Sequence, residues 1–146
     1  MAELRVQRLA RWTCAAIVGL SLLVGASALA EPDEPPPPTR AEAEAVLDDV
    51  VRFARAGDYT GLCESELAAG GVCRQLVDSA RQSGWSPGPD RPEVVGMSTP
   101  KSGVVLHLRG VRADGTPFTS DFEVSRHPRG LHASTPVYWS GVQLAG

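Results

Sequence analysis

The chain has 146 residues, with 14 Lys+Arg against 17 Asp+Glu and a formal charge of −3. That length allows one domain of ordinary size, able to bury a core. From residue 31 onward the balance is 11 basic against 16 acidic residues, or −5, which argues against a nucleic-acid or anionic-membrane surface as partner.

Arg5, Arg8 and Arg11 precede an uncharged run from Trp12 to Ala30 that closes on Ala28-Leu29-Ala30. This is the pattern of a secretory signal peptide, residues 1–30, cleaved before Glu31. The alternative is an uncleaved anchor, since nineteen such residues just span a bilayer; any membrane attachment is expected through this segment alone. Cys14 precedes the apolar stretch instead of ending it, which argues against a lipoprotein. Either way, the remaining chain is expected outside the cytoplasm, secreted or associated with the cell envelope. Residues 31–40, EPDEPPPPTR, form a spacer, because four consecutive prolines hold an extended conformation without internal hydrogen bonds.

A single domain is expected over 41–146. Thr39 and Glu42 have the spacing of a capping box. The helix they open places Val46, Leu47, Val50, Phe53 and Ala54 on one face, with Glu44, Asp48, Asp49, Arg52 and Arg55 largely opposite. Gly57 ends it as a left-handed cap. Asp58 caps a second, short helix through Leu62 to Leu67. Gly70-Gly71 breaks that helix, and Val72 to Ser83 resumes with Val72, Leu76, Val77 and Ala80 inward. Cys63 and Cys73 fall in these two pieces and are read as a structural disulfide in an oxidising compartment. All three histidines lie far downstream, so no zinc set is expected.

Trp85 to Pro92 crosses from helices to sheet, and Glu93 to Thr99 reads as a first strand. The next hairpin, Gly103 to Ser125, alternates Val104, Leu106 and Leu108 with a return run bearing Phe118, Phe122 and Val124. A two-residue Asp114-Gly115 loop would set the first three opposite Ser125, Glu123 and Asp121. A three-residue loop, Ala113-Asp114-Gly115, sets them opposite Val124, Phe122 and Ser120 and keeps one face apolar. Val105 then points outward. After His127-Pro-Arg-Gly130 the run Leu131 to Val142 is expected as a fourth strand. An Arg129-Gly130 loop would place Val137 opposite Phe122 and Trp139 opposite Ser120. The layout is therefore α+β, N-terminal helices followed by a four-strand antiparallel meander.

This order, with the run ARAGDYTGLCE after a long first helix, resembles the NTF2-like (cystatin-like α+β) superfamily over roughly residues 40–142. The closing PVYWSGV resembles small secreted proteins of high-GC bacteria with no assigned activity, and the scarcity of Lys beside abundant Ala, Gly and Arg fits such a genome. The resemblance implies helices packed into the concave side of a curved sheet. Members of that superfamily include isomerases, dehydratases, ligand carriers and structural accessory domains, so the resemblance alone does not choose a function.

The expected register aligns His107 with Asp121, and the fourth strand would add Tyr138 beside Asp121, with Arg109 and Glu123 on the same outward face. Such a His107/Asp121/Tyr138 group could transfer protons in a small isomerase or hydrolase. Its plainer meaning is an exposed cross-strand ladder. His127 and His132 flank a turn without a third metal ligand, and Ser102, Ser120, Ser125 and Ser134 lack a nucleophile-elbow context. The expected interior (Val104, Leu106, Leu108, Phe118, Phe122, Val124, Val137, Trp139) contains no acid. The sequence therefore favours a non-enzymatic module without metal or cofactor, binding a protein or a small apolar ligand through Trp139, Tyr138 and Phe122.

Overall fold

The computed structural model describes residues 35–144; the expected signal peptide and cleavage site lie outside them. Three helices are followed by a four-strand antiparallel sheet, an α+β architecture. No helix among the described residues is long and apolar enough to cross a membrane.

Helix α1, Arg40–Ala56, starts where the sequence places it. The Thr39 hydroxyl accepts the Glu42 N–H at 3.2 Å, and the Glu42 carboxylate accepts the Thr39 N–H at 2.7 Å. Two otherwise unpaired helix-end donors are thereby satisfied. Gly57, at φ 69°, ends the helix in the left-handed region. Ala43, Val46, Leu47, Val50, Val51 and Ala54 are buried; Phe53, expected with them, sits half-buried at the margin with the Arg52 guanidinium 5.5 Å from its ring. Asp48 and Asp49 are held on the solvated side by Arg91 and Arg52. Arg126 carries the end of the spacer onto the domain, donating to the Pro36 carbonyl at 3.0 Å and to both Glu42 oxygens.

Asp58 caps α2, Tyr59–Glu64, by accepting the Gly61 N–H at 2.8 Å. Helix α3 runs Gly70–Gln82, so Gly70-Gly71 forms its first turn instead of lying before it. Cys73, Val77 and Ala80 face inward, but Val72 is 50% exposed, against expectation. The Cys63–Cys73 disulfide fastens the two helices, with Cα atoms 5.4 Å apart.

Strands β1, Glu93–Ser98, β2, Val104–Val111, β3, Pro117–His127, and β4, Gly130–Ala133, are neighbours in that order. The three-residue loop is present, with Gly115 at φ 84°. It pairs Val104 with Val124, Leu106 with Phe122 and Leu108 with Ser120. These side chains pack with α1 and the helix pair into one core, whose largest fully buried members are Trp139, Tyr138, Phe122, Leu47 and Leu62.

The fourth strand departs from expectation in length and register. Its two-residue loop is Pro128-Arg129, with His127 opposite Gly130 and Val124 opposite Ala133, and regular pairing ends at Ala133. Continued at this register, the strand would bring residue 136 opposite Asp121, and that residue is proline, which has no N–H to give. The chain instead leaves the sheet and carries Val137, Tyr138 and Trp139 into the core, the last two within a 3₁₀ turn, Tyr138–Ser140. Gly141, at φ 81°, reverses it so that the Val142 carbonyl accepts the Asp121 N–H at 2.8 Å. Arg112 pins the excursion: it is 8% exposed, donates to the Trp139 carbonyl at 2.9 Å and lies 4.0 Å from the Trp85 ring centroid.

Candidate functional site

The sheet's outer face carries a run of cross-strand polar contacts. β2 and β3 set His107 directly opposite Asp121, as the loop length requires. Their side chains meet, His107 Nδ1 lying 2.7 Å from Asp121 Oδ1. The second Asp121 oxygen accepts the Leu144 N–H at 2.8 Å. An ionised carboxylate can only accept, so His107 donates from Nδ1 and turns Nε2 outward as the free ring nitrogen.

Burial differs sharply across the pair. The Asp121 side chain is 8% exposed and that of His107 42%. Together they line a cleft of about 480 Å³, bordered by Ser98, Thr99, Ser102, Val105, Glu123 and Leu144. Glu123 accepts a hydrogen bond from the Ser102 hydroxyl at 2.8 Å. Further along the same face Arg109 pairs with Glu93 at 2.7 Å. The expected outward ladder is present, with two additions. The returning C-terminal segment braces Asp121, and Val105 is only 5% exposed although it faces away from the main core. The sequence signals neither, because nothing periodic marks residues 141–144 as cover for the sheet.

Tyr138 is not part of this group. Because the strand stops at Ala133, its ring enters the core, edge-on to Trp139 with centroids 5.0 Å apart. Among the described residues its hydroxyl has no hydrogen-bond partner, and burial pushes the phenol from 10.0 up to about 12. The proposed proton-transfer trio is thus reduced to a His–Asp pair. The expected contact residues Trp139, Tyr138 and Phe122 are 1%, 1% and 0% exposed, so none offers surface to a partner. The hydrophobic pattern that brought them to attention reflects core packing.

His127 and His132 approach as tilted rings, centroids 4.6 Å apart, and the Ser125 hydroxyl lies 3.1 Å from His127 Nε2. Among the described residues no three His, Cys, Asp or Glu side chains converge as a metal site would require. The buried polar or charged residues Arg112, Ser120, Asp121 and Thr135 include one carboxylate, and it belongs to the outer face. Chemically, the cleft holds an oriented imidazole acceptor beside hydroxyls and a second carboxylate, over apolar contacts from Val105 and Leu144. The sequence matches no family model and no curated protein, and no solved structure matches it.

Proposed function

We propose that the chain is an extracytoplasmic, non-enzymatic binding module on an NTF2-like plan, whose partner or small ligand is taken in the outer-face cleft. The observation that carries this is the His107–Asp121 pair: a nearly buried carboxylate, held from two sides, orients an imidazole that remains open to solvent. Second-residue support of this kind preorganises a recognition group. The inner face supports no comparable site, since Leu106, Phe122, Val137 and Trp139 are at most 1% exposed there. Placement outside the cytoplasm is supported by the Cys63–Cys73 disulfide, a bond that persists in oxidising compartments. Tyr138, the third member of the expected proton-transfer group, lies in the core instead of beside His107, and this supports binding over catalysis.

The test is a ¹⁵N NMR titration of the exported protein with indole and benzyl alcohol, each an apolar body with one hydrogen-bond donor. Shifts centred on residues 98–107, 121–123 and 144, lost in His107→Ala, support the cleft. Shifts centred on Val50, Val137 and Trp139 would place binding in the core and overturn it, as would no response to either probe. Turnover of p-nitrophenyl acetate that disappears in His107→Gln would favour a hydrolase instead.

A further inference from the structure

Strand pairing fixes the layout of the outer-face cleft. Val105 lies opposite Glu123 on β3 and Ser98 on β1, and His107, the next outward residue of β2, lies opposite Asp121 and Gly96. Directly opposed residues share a face, so Ser98, Glu123 and His107 stand around Val105. At 5% exposure Val105 gives the cleft an apolar floor. Gly96 is a glycine inside a strand, which weakens the strand and marks a close approach. A Cβ there would meet His107 Cδ2 at 3.2 Å. The missing side chain lets the imidazole lie over β1 while its Nδ1 reaches Asp121.

The polar groups of the cleft are acceptors without a cation. Asp121 and Glu123 supply two carboxylates, and among the described residues no Lys or Arg lines it. By contrast Glu93, on the same face, has Arg109 at 2.7 Å. Both Asp121 oxygens are engaged, one by His107 and one by Leu144. Glu123 takes the Ser102 hydroxyl on Oε1, and among the described residues its Oε2 has no partner. His107 Nε2 accepts, because Nδ1 holds the proton. Diagonal neighbours on a sheet face, such as His107 and Glu123, lie about 7–8 Å apart, so one small head group can reach both side chains.

We infer that the cleft takes a primary ammonium group carried on an alkyl chain. This rests on the outer-face cleft being the binding site. The positive head complements Glu123 and Asp121, and its N–H groups donate to Glu123 Oε2 and His107 Nε2. The third N–H is left for a rim hydroxyl or solvent, and the chain packs on Val105 and Leu144. An anion would face both carboxylates with only hydroxyls to donate to it. A quaternary ammonium has no N–H, and the lining holds no Phe, Tyr or Trp to cage it. A divalent metal draws on several strong ligands, and among the described residues no three His, Cys, Asp or Glu side chains converge. Free alkylamines and the lysine side chains of a protein share the chemistry that fits.

A ¹⁵N NMR titration of the exported protein at constant ionic strength, with n-butylammonium, n-butanol and n-butyltrimethylammonium, tests the head group. n-Butylammonium should shift residues 98–107, 121–123 and 144 and bind roughly tenfold more tightly than either analogue, since hydrogen bonds between charged groups outweigh neutral ones by that order. Glu123→Gln keeps an acceptor for Ser102 and should erase most of that preference with melting unchanged. Glu93→Gln, on the same face but outside the cleft, should leave the preference intact. Equal affinity for the three probes overturns the inference, as does equal loss in the two variants. Cleft shifts with n-butanol, indole or benzyl alcohol, without tighter binding of n-butylammonium, would remove the ammonium class and leave the cleft standing. No cleft shift with any probe would remove both. Tighter binding of Nα-acetyl-lysine amide than of n-butylammonium assigns the amine to a protein partner, and weaker binding assigns it to a free alkylamine.

Discussion

Thr135 does for Asp121 what a strand backbone would have done. Its hydroxyl donates to the Asp121 carbonyl at 2.8 Å and accepts the Glu123 N–H at 3.0 Å. Side-chain hydroxyls compete with ladders in this way wherever the chain leaves regular structure. Here the substitution lets the chain leave the sheet at Pro136 without orphaning buried backbone groups.

Thr135→Val, which keeps the shape and removes the hydroxyl, should therefore cost about 1–3 kcal/mol by leaving two buried groups unpaired. Thr135→Ser should retain most of the stability. Urea denaturation distinguishes them, and equal loss in both variants would show that the methyl matters instead.

Tyr138→Phe should be neutral or stabilising, since the buried hydroxyl has no partner among the described residues. The phenol is raised from 10.0 to about 12 in the folded chain. Its stabilising contribution is thus complete below pH 10 and is lost as pH rises toward 12. Melting temperature followed between those pH values should fall less steeply in Tyr138→Phe than in the parent.

Glu42 works in the opposite sense. The Thr39 backbone N–H, then the Arg126 guanidinium and the Thr39 hydroxyl, hold its carboxyl down from 4.5 to about 2. A depressed carboxyl stabilises above its unfolded value, and that contribution is lost as pH falls from 4.5 toward 2. Melting curves of Glu42→Gln should lie below the parent at pH 6 and converge with it near pH 2.

Leu106→Ala and Phe122→Ala should each cost about 2–5 kcal/mol, the usual range for emptying a core position. Val105→Ala, outward by register yet 5% exposed, should cost roughly 1.5 kcal/mol for the two carbons removed. A negligible cost at position 105 would mean that Leu144 and its neighbours do not cover the outer face in solution.

Cys63→Ala should destabilise by about 2–4 kcal/mol, because the bridge restricts the unfolded chain. Non-reducing peptide mapping of the exported protein should find Cys63 joined to Cys73. Two alkylatable thiols in the native protein would contradict the bond.

Much of the fold could be read without the structure, and the parts that could share a physical character. Thr39, Glu42, Gly57 and Asp58 act within one turn of themselves, so their roles follow from spacing. The β2–β3 register follows from side-chain alternation and a short loop, and with it came the facing of His107 and Asp121. Cys63 and Cys73 needed only compartment and proximity. The fate of residues 134–144 was of another kind. Alternation at Val137 and Trp139 points to a continuous strand, whereas Pro136 cannot hold a central-strand position, so the strand stops at Ala133 and Tyr138 enters the core. The outward turn of Val72 likewise went against its apolar character.

From the sequence alone came the α+β order, both ends of the first helix and the cap of the second, the disulfide partners and the central hairpin register, because each rests on contacts between near neighbours or on a periodic pattern. The tertiary structure decided where the chain leaves β4, that Tyr138 belongs to the core, that Thr135 and Val142 satisfy Asp121, and that Val105 is covered from outside. Those outcomes depend on which distant groups can reach a buried donor or fill a remaining space, and such competition has no period along the chain.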